Sequence, residues 1–245
     1  MSETPRRHFT TTASTNEAAR LWARDAAPHG AAVSADAQSA GRGRRGRSWL
    51  SPPGRGVYLS VIWRPDDETA PGRFTILAAL AMANAVTEMS GKHAHFKWPN
   101  DVLMNGRKIG GVLCEAEWKD GRLDFVIVGI GLNVRHEADE LPDRPIFPAS
   151  SLLLETGVLF EIEDTTQACI DALKVLWERY ACGEWDSLRN EFEARCEGIG
   201  ELVQVTTETG KYFGIARGVD GDGNLLVATS DGVRRVVAGD VRYDL

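Results

Sequence analysis

The spacing of apolar residues predicts five helices along the chain. Over residues 75–89 they recur every three or four positions, and Gly91 follows where a helix commonly ends. A helix is also expected from Ser14 to about Ala27, with Ser14 as its cap and Glu17 closing a capping box. The same spacing predicts helices over residues 150–155, 164–180 and 185–195.

Runs of β-branched and aromatic residues lie between these helices and predict strands. Residues 57–63, VYLSVIW, form the clearest run. Asn105-Gly106 and Asp120-Gly121 are residue pairs that favour two-residue hairpin turns, so adjacent antiparallel strands are expected on either side of each. The strands expected in this part of the chain cover residues 30–37, 57–63, 95–98, 102–104, 108–118 and 122–134.

The pattern changes near residues 196–200. Beyond this point short β runs alternate with turns that contain glycine, which is typical of a small barrel. The expected fold class is therefore α+β. A domain of strands and helices is expected over residues 1–197, followed by a small all-β domain over residues 198–245.

Composition and charge narrow the class of protein. The 245 residues are 43% hydrophobic and 26% charged, as in ordinary globular proteins, and the formal net charge is −7. That sign excludes a broadly basic surface for nucleic acid, so any binding of anions must be local. No apolar run reaches the length of a membrane helix, and no signal peptide is recognisable. The four cysteines show no zinc-ligand or disulfide spacing, which favours reduced thiols in the cytoplasm.

Residues 40–49, AGRGRRGRSW, place four arginines among three glycines in this acidic chain. Glycines let the backbone approach a ligand closely, and guanidinium groups fit phosphate and carboxylate oxygens. The segment therefore favours binding of a polyanion such as a nucleotide. A solvated charged loop and a nucleic-acid patch remain alternatives from this segment alone, although its neighbours are neutral or acidic. A disordered tract does not fit, because expected strands bound the segment.

Residues 97–115, KWPNDVLMNGRKIGGVLCE, contribute two lysines at strand ends. Lys97 precedes the rigid turn Trp-Pro-Asn-Asp, and Lys108 follows the first hairpin turn. The pair Gly110-Gly111 weakens its strand, so we expect a ligand or another backbone to pack against it. Both lysines could instead be ordinary exposed strand residues. Residues 129–134, GIGLNV, are compatible with a bulge at a sheet edge.

Taken in order, the segments Ser14-Thr15-Asn16, GRGRRGRSW, KWPNDV, RKIGGVLCE and GIGLNV closely resemble the biotin–protein ligases. The motifs extend from Ser14 to about Val134, and the architecture expected beyond them is similar as well. The resemblance implies a mixed sheet related to class II aminoacyl-tRNA synthetases and a C-terminal SH3-like β-barrel. Because about 13 residues precede Ser14, we expect the monofunctional form, without the DNA-binding domain that some relatives carry.

The resemblance also implies an activity. Ligases of this family use ATP and Mg²⁺ to convert biotin into biotinyl-5′-AMP, and then transfer biotin to a lysine of a biotin carboxyl carrier domain. The expected partner is therefore such a domain of a carboxylase, with no nucleic acid or membrane involved, and the protein is expected to be a monomer or a homodimer. A carboxylate and a triphosphate must be held together against their repulsion, which accounts for the arginines.

Residue by residue, the resemblance places biotin against several of these segments. Ser14, Thr15 and Gln38 are expected to hydrogen-bond its ring system, with Asn16 nearby. Lys108 is expected to contact the carboxylate and then the acyl phosphate, which makes it, with Arg44, a candidate catalytic residue. The expected biotin-binding residues are Ser14, Thr15, Asn16, Gln38, Gly41, Arg42, Gly43, Lys108, Gly110 and Gly111.

The adenylate is expected beside the arginines. Arg44 would retain it, and Trp49 would fold over it or serve only as a hydrophobic anchor. Asp101 is the candidate metal ligand. Glu115 could be structural, and Cys114 is expected to be a buried small residue, since no step needs a thiol. The expected nucleotide-binding residues are Arg44, Arg45, Arg47, Trp49, Lys97, Asn100 and Asn133.

Two other functions remain open. A lipoate- or octanoate-protein ligase shares the fold and the adenylation chemistry, although the arginine–glycine segment and KWPND favour biotin. A non-catalytic sensor of biotin or a nucleotide is the second alternative. Lys108 and the basic segment argue against it, because a sensor needs no groups that activate an acyl phosphate.

Overall fold

The computed structural model, which describes residues 5–65, 70–142, 148–208 and 210–243, contains two sheets. The helices are α1 (Thr15–Arg24), α2 (Pro71–Ser90), α3 (Leu152–Thr156), α4 (Ile162–Ala181) and α5 (Trp185–Glu193). The strands of the first sheet are β1 (Arg6–Thr12), β2 (Ala32–Gln38), β3 (Gly56–Trp63), β4 (His95–Lys97), β5 (Asp101–Met104), β6 (Arg107–Lys119) and β7 (Arg122–Asn133). Those of the second sheet are β8 (Leu202–Thr207), β9 (Gly210–Val219), β10 (Leu225–Thr229), β11 (Gly232–Val236) and β12 (Asp240–Arg242).

The first sheet has seven strands in the order β1-β2-β3-β7-β6-β5-β4. β1 runs parallel to β2, and the other neighbours are antiparallel, so the sheet is mixed as expected. The expectation of a sheet edge at residues 129–134 is wrong, because β7 lies in the middle of the sheet between β3 and β6. The glycines of β7 instead leave space on the sheet face for the side chains of Asn16 and Trp49.

The core lies between the first sheet and a layer of helices. α2 is the central helix: it packs against α4, α5 and strands β5, β6 and β7. Most of its residues from Phe74 to Val86 are buried, which explains why its sequence is apolar on nearly every side. Pro71 opens it and Gly91 ends it in the left-handed conformation that glycine adopts without strain. None of the described helices is long and apolar enough to cross a membrane.

The start of α1 differs in detail from its expected capping box. Ser14 occupies the cap position, but its side chain makes no capping hydrogen bond. Glu17 pairs with Arg20 instead of reaching back. The backbone N–H of Thr15 donates to Gln38 Oε1 at 2.8 Å, so a side chain of β2 satisfies this end of the helix. The first turn of α1 is thereby attached to the sheet.

The second sheet has five antiparallel strands in the order β11-β10-β9-β8-β12. A small all-β unit at this end of the chain is therefore confirmed, while its closure into a barrel and its boundary at residue 198 stay predictions. β12 pairs with β8 at one edge of the sheet, although no strand was expected at these residues. The second sheet contacts the first part of the molecule through Trp98, whose indole N–H donates to the Gly223 carbonyl oxygen at 3.0 Å.

Candidate active site

A cavity of about 870 Å³, partly open to solvent, lies between the first turn of α1, the face of the first sheet, the arginine–glycine segment and β12. It gathers chain segments that are far apart in sequence, including most of the predicted site residues. Those that line it are Ser14, Thr15, Asn16, Gln38, Arg42, Gly43, Arg44, Arg47, Trp49, Lys97, Asn100, Asp101, Lys108 and Gly111. These predicted residues therefore lie around one continuous cavity.

One side of the cavity is lined by Thr15, Asn16 and Gln38, with Ser60 fully buried behind them; we call these four residues the uncharged end. These residues are linked by hydrogen bonds, and Thr15 and Asn16 are buried. The Ser60 hydroxyl lies 2.8 Å from Thr15 Oγ1 and 2.7 Å from Asn16 Oδ1, and Thr15 Oγ1 lies 3.1 Å from Gln38 Oε1. Gln38 is anchored in turn, because its amide nitrogen donates to Ser51 Oγ at 2.9 Å.

The protons of the uncharged end can be counted. Thr15 and Ser60 each supply one hydroxyl proton, yet three oxygen–oxygen contacts join the four side chains. Asn16 cannot supply the missing proton, because its amide nitrogen faces Leu113 O and Glu115 Oε2, which only accept. One contact therefore has no proton, and the network presents a spare acceptor to an N–H or O–H donor of a ligand.

The arginine–glycine segment folds back on itself as a short loop, which we call the arginine loop (residues 41–49). The Trp49 N–H donates to the Gly41 carbonyl oxygen at 2.9 Å, and the Gly43 N–H donates to Arg47 O at 2.6 Å. Arg45 and Gly46 adopt positive φ angles of 57° and 72° at its tip. A Cβ on Gly41 would lie 2.5 Å from the Trp49 carbonyl oxygen, so Gly41 closes the base of the loop and does not line the cavity.

The tip of the arginine loop is attached to the second sheet. One carboxylate oxygen of Asp240 in β12 pairs with Arg45 Nη1 at 2.9 Å, and the other pairs with Arg47 Nη2 at 2.8 Å. Arg45 consequently points to Asp240 and does not line the cavity, whereas Arg47 does. Burial tends to raise the pKa of Asp240, but the charges and hydrogen bonds of the two arginines lower it overall. Asp240 carried no sequence signal, since only the folded chain brings β12 to the loop.

The other two arginines of the loop contact Glu115 of β6 and Asn100 in the turn between β4 and β5. Arg42 Nη2 lies 3.0 Å from Glu115 Oε2, and Arg44 Nη1 donates to Asn100 Oδ1 at 3.2 Å. Burial lowers the pKa of Arg44 from its usual value, because the guanidinium is poorly hydrated in this position. Such a cation binds an incoming anion more strongly than one in water.

Two lysines complete the charged side of the cavity. Lys108 Nζ lies 2.5 Å from Asp101 Oδ1 and 5.4 Å from the centre of the Trp49 ring. Its side chain is 11% exposed, so the ammonium group has left bulk water. Burial is the largest cause of the lowered pKa of Lys97, which also lines the cavity. Both groups are thus held where they can face a ligand.

Asp101 was the candidate metal ligand. Its carboxylate is paired with Lys108, and no group of three or more His, Cys, Asp or Glu side chains that could hold a metal ion occurs in the described part of the chain. Mg²⁺ commonly binds one or two carboxylates together with substrate phosphates. The donors present therefore fit a magnesium ion that arrives with a nucleotide better than a resident ion.

The glycines of β6 and β7 accommodate side chains of the site itself. A Cβ on Gly129 would collide with the Asn16 amide, and one on Gly131 would collide with the Trp49 indole. Gly111 also faces the cavity, since a Cβ there would lie 3.3 Å from Lys108 Nζ. A ligand or another backbone was expected against Gly110-Gly111, but the atoms nearest a Cβ at Gly111 belong to side chains of the site, as they do at Gly129 and Gly131.

Gly110 lies on the opposite face of the sheet from its expected place beside biotin. A Cβ there would lie 2.5 Å from the Met82 sulfur of α2. Simple alternation along a strand would put Lys108 and Gly110 on one face. The pairing of β5 with β6 shifts, however, since Leu103 pairs with Lys108 and Val102 with Gly110. The extra residue in β6 turns Lys108 and Gly111 toward the cavity together.

A smaller cavity of about 340 Å³ adjoins the first one. Trp49 and Lys108 line both cavities, and Asn133, His136 and Leu141 contribute to the second. The predicted nucleotide residue Asn133 therefore lies here, with its amide nitrogen donating to Ser150 O at 2.9 Å. The indole nitrogen of Trp49 is buried and has no hydrogen-bond partner among the residues that the structure describes. The second cavity is thus lined by fewer charged residues than the first, and the two cavities share Lys108.

Sequence reasoning missed two residues that shape the site, Ser60 and Asp240. Ser60 had a usable signal, since it is the polar residue inside an otherwise apolar buried strand. Glu115 was recognised but given no role. Cys114 is only partly exposed, and burial raises the pKa of its thiol to about 12, so it is protonated at neutral pH.

Two family models match the chain. The model described as the biotin/lipoate A/B protein ligase family matches residues 9–133, and that of the biotin protein ligase C terminal domain matches residues 198–242. The first of these spans the arginine loop, Lys108 and all of β7. Together they cover most of the residues that form the cavity.

Among curated proteins, the Bacillus subtilis bifunctional ligase/repressor BirA is 34% identical over 93% of this chain and 70% of its own length. A biotin–[acetyl-CoA-carboxylase] ligase of Paracoccus denitrificans is 32% identical over 86% of this chain and 89% of its own. Among solved structures, the Aquifex aeolicus biotin protein ligase in complex with biotin and ATP superimposes with a TM-score of 0.84 at 27% identity. That match covers 98% of this chain and 99% of the other.

Proposed function

Because the chain belongs to the biotin/lipoate A/B protein ligase family, we propose that it is an ATP-dependent biotin–protein ligase. It activates biotin to biotinyl-5′-AMP and transfers the biotinyl group to a lysine of a biotin carboxyl carrier domain. The observation that carries this proposal is the single cavity that has an uncharged hydrogen-bonding end on one side and the arginine loop with Lys108 on the other. The names of its relatives and the bound biotin and ATP of the Aquifex structure support it.

The uncharged end suits the ring system of biotin. The ureido group of biotin has two N–H donors and one carbonyl acceptor, and the Thr15–Ser60–Asn16 network has a spare acceptor. Lipoate and octanoate carry no N–H group there. They would leave the buried acceptor without a donor, which costs about 1–3 kcal/mol. A site of this type rejects analogues that lack the matching polar group.

The charged side suits the reacting groups. The biotin carboxylate lies at Lys108, and the phosphates of ATP lie along Arg44 and Arg47. One carboxylate oxygen attacks the α-phosphorus atom, a P–O bond forms, and pyrophosphate leaves with the electron pair of the broken bond. No proton has to move in this step, so cations that only stabilise charge are sufficient. Mg²⁺ bound to the phosphates would neutralise part of their charge, with Asp101 as the protein carboxylate available to it.

The second cavity suits the base of the nucleotide. It adjoins Lys108, and it combines an indole face at Trp49 with the amide of Asn133. A planar base stacks on an aromatic ring and hydrogen-bonds to an amide. In the second reaction step, a lysine amine of the carrier domain attacks the acyl carbon, and AMP leaves with the electron pair of the acyl–phosphate bond. The amine reacts as its free base and loses its extra proton to solvent.

The experiment that tests the proposal is mass spectrometry of the purified protein with Mg-ATP and, in separate tubes, biotin, lipoate or octanoate. Biotinyl-5′-AMP and pyrophosphate are expected in the biotin tube, and no adenylate in the others. An adenylate formed from lipoate or octanoate would show that this acid, and not biotin, is the substrate. Biotin binding without any adenylate would make the protein a sensor.

A further inference from the structure

Glu115 of β6 contacts two parts of the site, and the proposed reaction assigns no role to these contacts. Its Oε2 atom accepts from Asn16 Nδ2 at 2.7 Å and pairs with Arg42 Nη2 at 3.0 Å. Its Oε1 atom pairs with Arg20 Nη2 at 3.0 Å. The side chain is 22% exposed, so these interactions are only partly screened by water. One carboxylate oxygen thus joins the uncharged end of the cavity to the arginine loop.

We propose that Glu115 is a positioning residue that couples biotin recognition at Asn16 to the placement of the arginine loop through Arg42. The proposal rests on the ligase function proposed above. It assigns Glu115 no contact with the reacting atoms. Its effect reaches the substrate through the two side chains that share its Oε2 atom.

The first part of the coupling is the orientation of the Asn16 amide. Its nitrogen faces two acceptors, Glu115 Oε2 and Leu113 O, which forces its oxygen toward Ser60. This orientation keeps the spare acceptor of the uncharged end. Without the carboxylate, the amide is held by Leu113 alone and can turn its nitrogen toward Ser60. The uncharged end would then present a donor where an N–H group of biotin needs an acceptor.

The second part of the coupling is the base of the arginine loop. Arg42 follows Gly41, at which the loop closes, and its guanidinium is held by Glu115. Glu17 also faces Arg42, but at 3.7 Å. Without Glu115, the longer contact with Glu17 is the one described ion pair that the Arg42 guanidinium keeps, and this side chain can move at the loop base. We therefore expect the loop to retain the adenylate less well when Glu115 loses its charge.

The chain offers a matched control in Glu117. Glu117 lies two residues further along β6. Its Oε2 atom lies 3.7 Å from Nε of Arg20, which also pairs with Glu115, and its Oε1 atom lies 2.5 Å from Arg24 Nη2. Its described hydrogen bonds and ion pairs are with Arg20 and Arg24, and none of them involves Asn16 or Arg42. Neutralising Glu117 therefore removes a similar charge from the same cluster without touching the site.

The test compares Glu115→Gln, Glu115→Asp and Glu117→Gln with the wild-type protein. Pyrophosphate release, measured with saturating acceptor domain so that escape of the adenylate does not limit turnover, gives kcat and the KM for biotin, and rapid filtration of preformed biotinyl-5′-AMP complex gives its rate of release. For Glu115→Gln we expect a KM for biotin and a release rate each raised about ten-fold, as for loss of a charge-assisted hydrogen bond. The kcat at saturating biotin should stay within about two-fold, because Lys108 is untouched. Glu117→Gln should leave all three values within about two-fold.

Glu115→Asp keeps the negative charge of the cluster, and so protects the fold, but withdraws the carboxylate by one methylene group. It should raise the KM for biotin like Glu115→Gln, which keeps the test decisive if that variant folds poorly. In an Asn16→Ala background, Glu115→Gln should add less than about two-fold to the KM, since both changes act through one contact. Equal effects of the Glu115 and Glu117 variants, or a full effect in the Asn16→Ala background, would overturn the coupling. Failure of the wild-type protein to adenylate biotin would instead overturn the proposed function.

Discussion

The uncharged end and the arginine loop hold their side chains in place by opposite means. At the uncharged end, Thr15, Asn16 and Ser60 are buried and joined by hydrogen bonds between neutral groups, with one acceptor left for a ligand. In the arginine loop, Arg45 and Arg47 are partly exposed and paired with the carboxylate of Asp240. A neutral buried network is costly to break, whereas exposed ion pairs contribute about 0–1 kcal/mol each. The uncharged end is thus preformed, while the loop can exchange its carboxylates for phosphates at little cost.

Lys108 lies where the two regions meet. It lines both cavities and is paired with Asp101, a partner that can be exchanged for a substrate carboxylate. We propose that the uncharged end recognises the ring, that Lys108 stabilises charge, and that the loop retains the product. Each proposed role affects a different kinetic constant, so single variants can test the roles separately.

The largest effect is expected for Lys108→Ala. Removing the cation at the reacting carboxylate should lower kcat for adenylate formation by about 10²–10³-fold, as for loss of one preorganised stabilising group. Biotin should still bind, because the uncharged end is intact. Pyrophosphate release and isothermal titration with biotin measure the two quantities. Activity within a few-fold of wild type would remove Lys108 from its proposed role.

The next effect is expected for Thr15→Val, which keeps the shape of the side chain and removes its hydroxyl. The loss leaves Gln38 and Ser60 with one partner fewer, at a cost of about 1–3 kcal/mol. The KM for biotin should rise about 10–100-fold, while the KM for ATP stays nearly constant. Steady-state kinetics with each substrate varied separately checks this. An equal rise in the KM for ATP would contradict the separation of the two regions.

A smaller effect is expected for Arg44→Gly, which removes the most buried cation of the loop. The adenylate should leave the site roughly ten-fold faster, as for loss of one charge-assisted hydrogen bond, and should then label lysines of bystander proteins. Incubation with albumin, followed by a streptavidin blot, measures the escape. Labelling of albumin no greater than with the wild-type protein would show that Arg44 does not retain the adenylate.

The smallest effect is expected for Asp240→Asn, and it concerns stability. The loop ion pairs are partly exposed, so the free energy of unfolding should fall by less than about 1 kcal/mol at neutral pH. The arginines lower the pKa of Asp240 in the folded state, so its contribution is present above the unfolded value of 3.8. It is lost as the pH falls through the lower folded value. Urea denaturation at pH 7 and pH 3 should show a smaller difference between variant and wild type in acid, and a larger one would contradict the ion-pair assignment.

The sequence predicted the regular elements well because its signals are local. Asn105-Gly106 and Asp120-Gly121 adopt the positive φ angles that hairpin turns need, and Gly91 ends α2 as expected. Two strands escaped prediction for physical reasons. β1 is an exposed edge strand, and its burial pattern does not alternate. β12 has only three residues, too few for a pattern.

The site was predictable where its residues lie in motifs and unpredictable where it depends on register or distant contacts. Gly110 and Gly111 are equivalent in sequence, and only the shifted pairing of β5 and β6 decides that Gly111 faces the cavity. Asp240 reaches the arginine loop from a separate sheet, more than 190 residues along the chain. The shared role of Glu115 likewise needs the distance between two side chains that no sequence spacing gives.

The central claim is that one cavity recognises the biotin ring at its uncharged end and activates the carboxylate at Lys108. Exchange of labelled pyrophosphate into ATP, measured at increasing biotin for wild type, Thr15→Val and Lys108→Ala, tests it most directly. We expect exchange that requires biotin, a Thr15→Val variant that reaches the wild-type rate at high biotin, and a Lys108→Ala variant that stays nearly inactive at every concentration. Exchange without biotin, or a Thr15→Val rate that stays low at saturation, would contradict it.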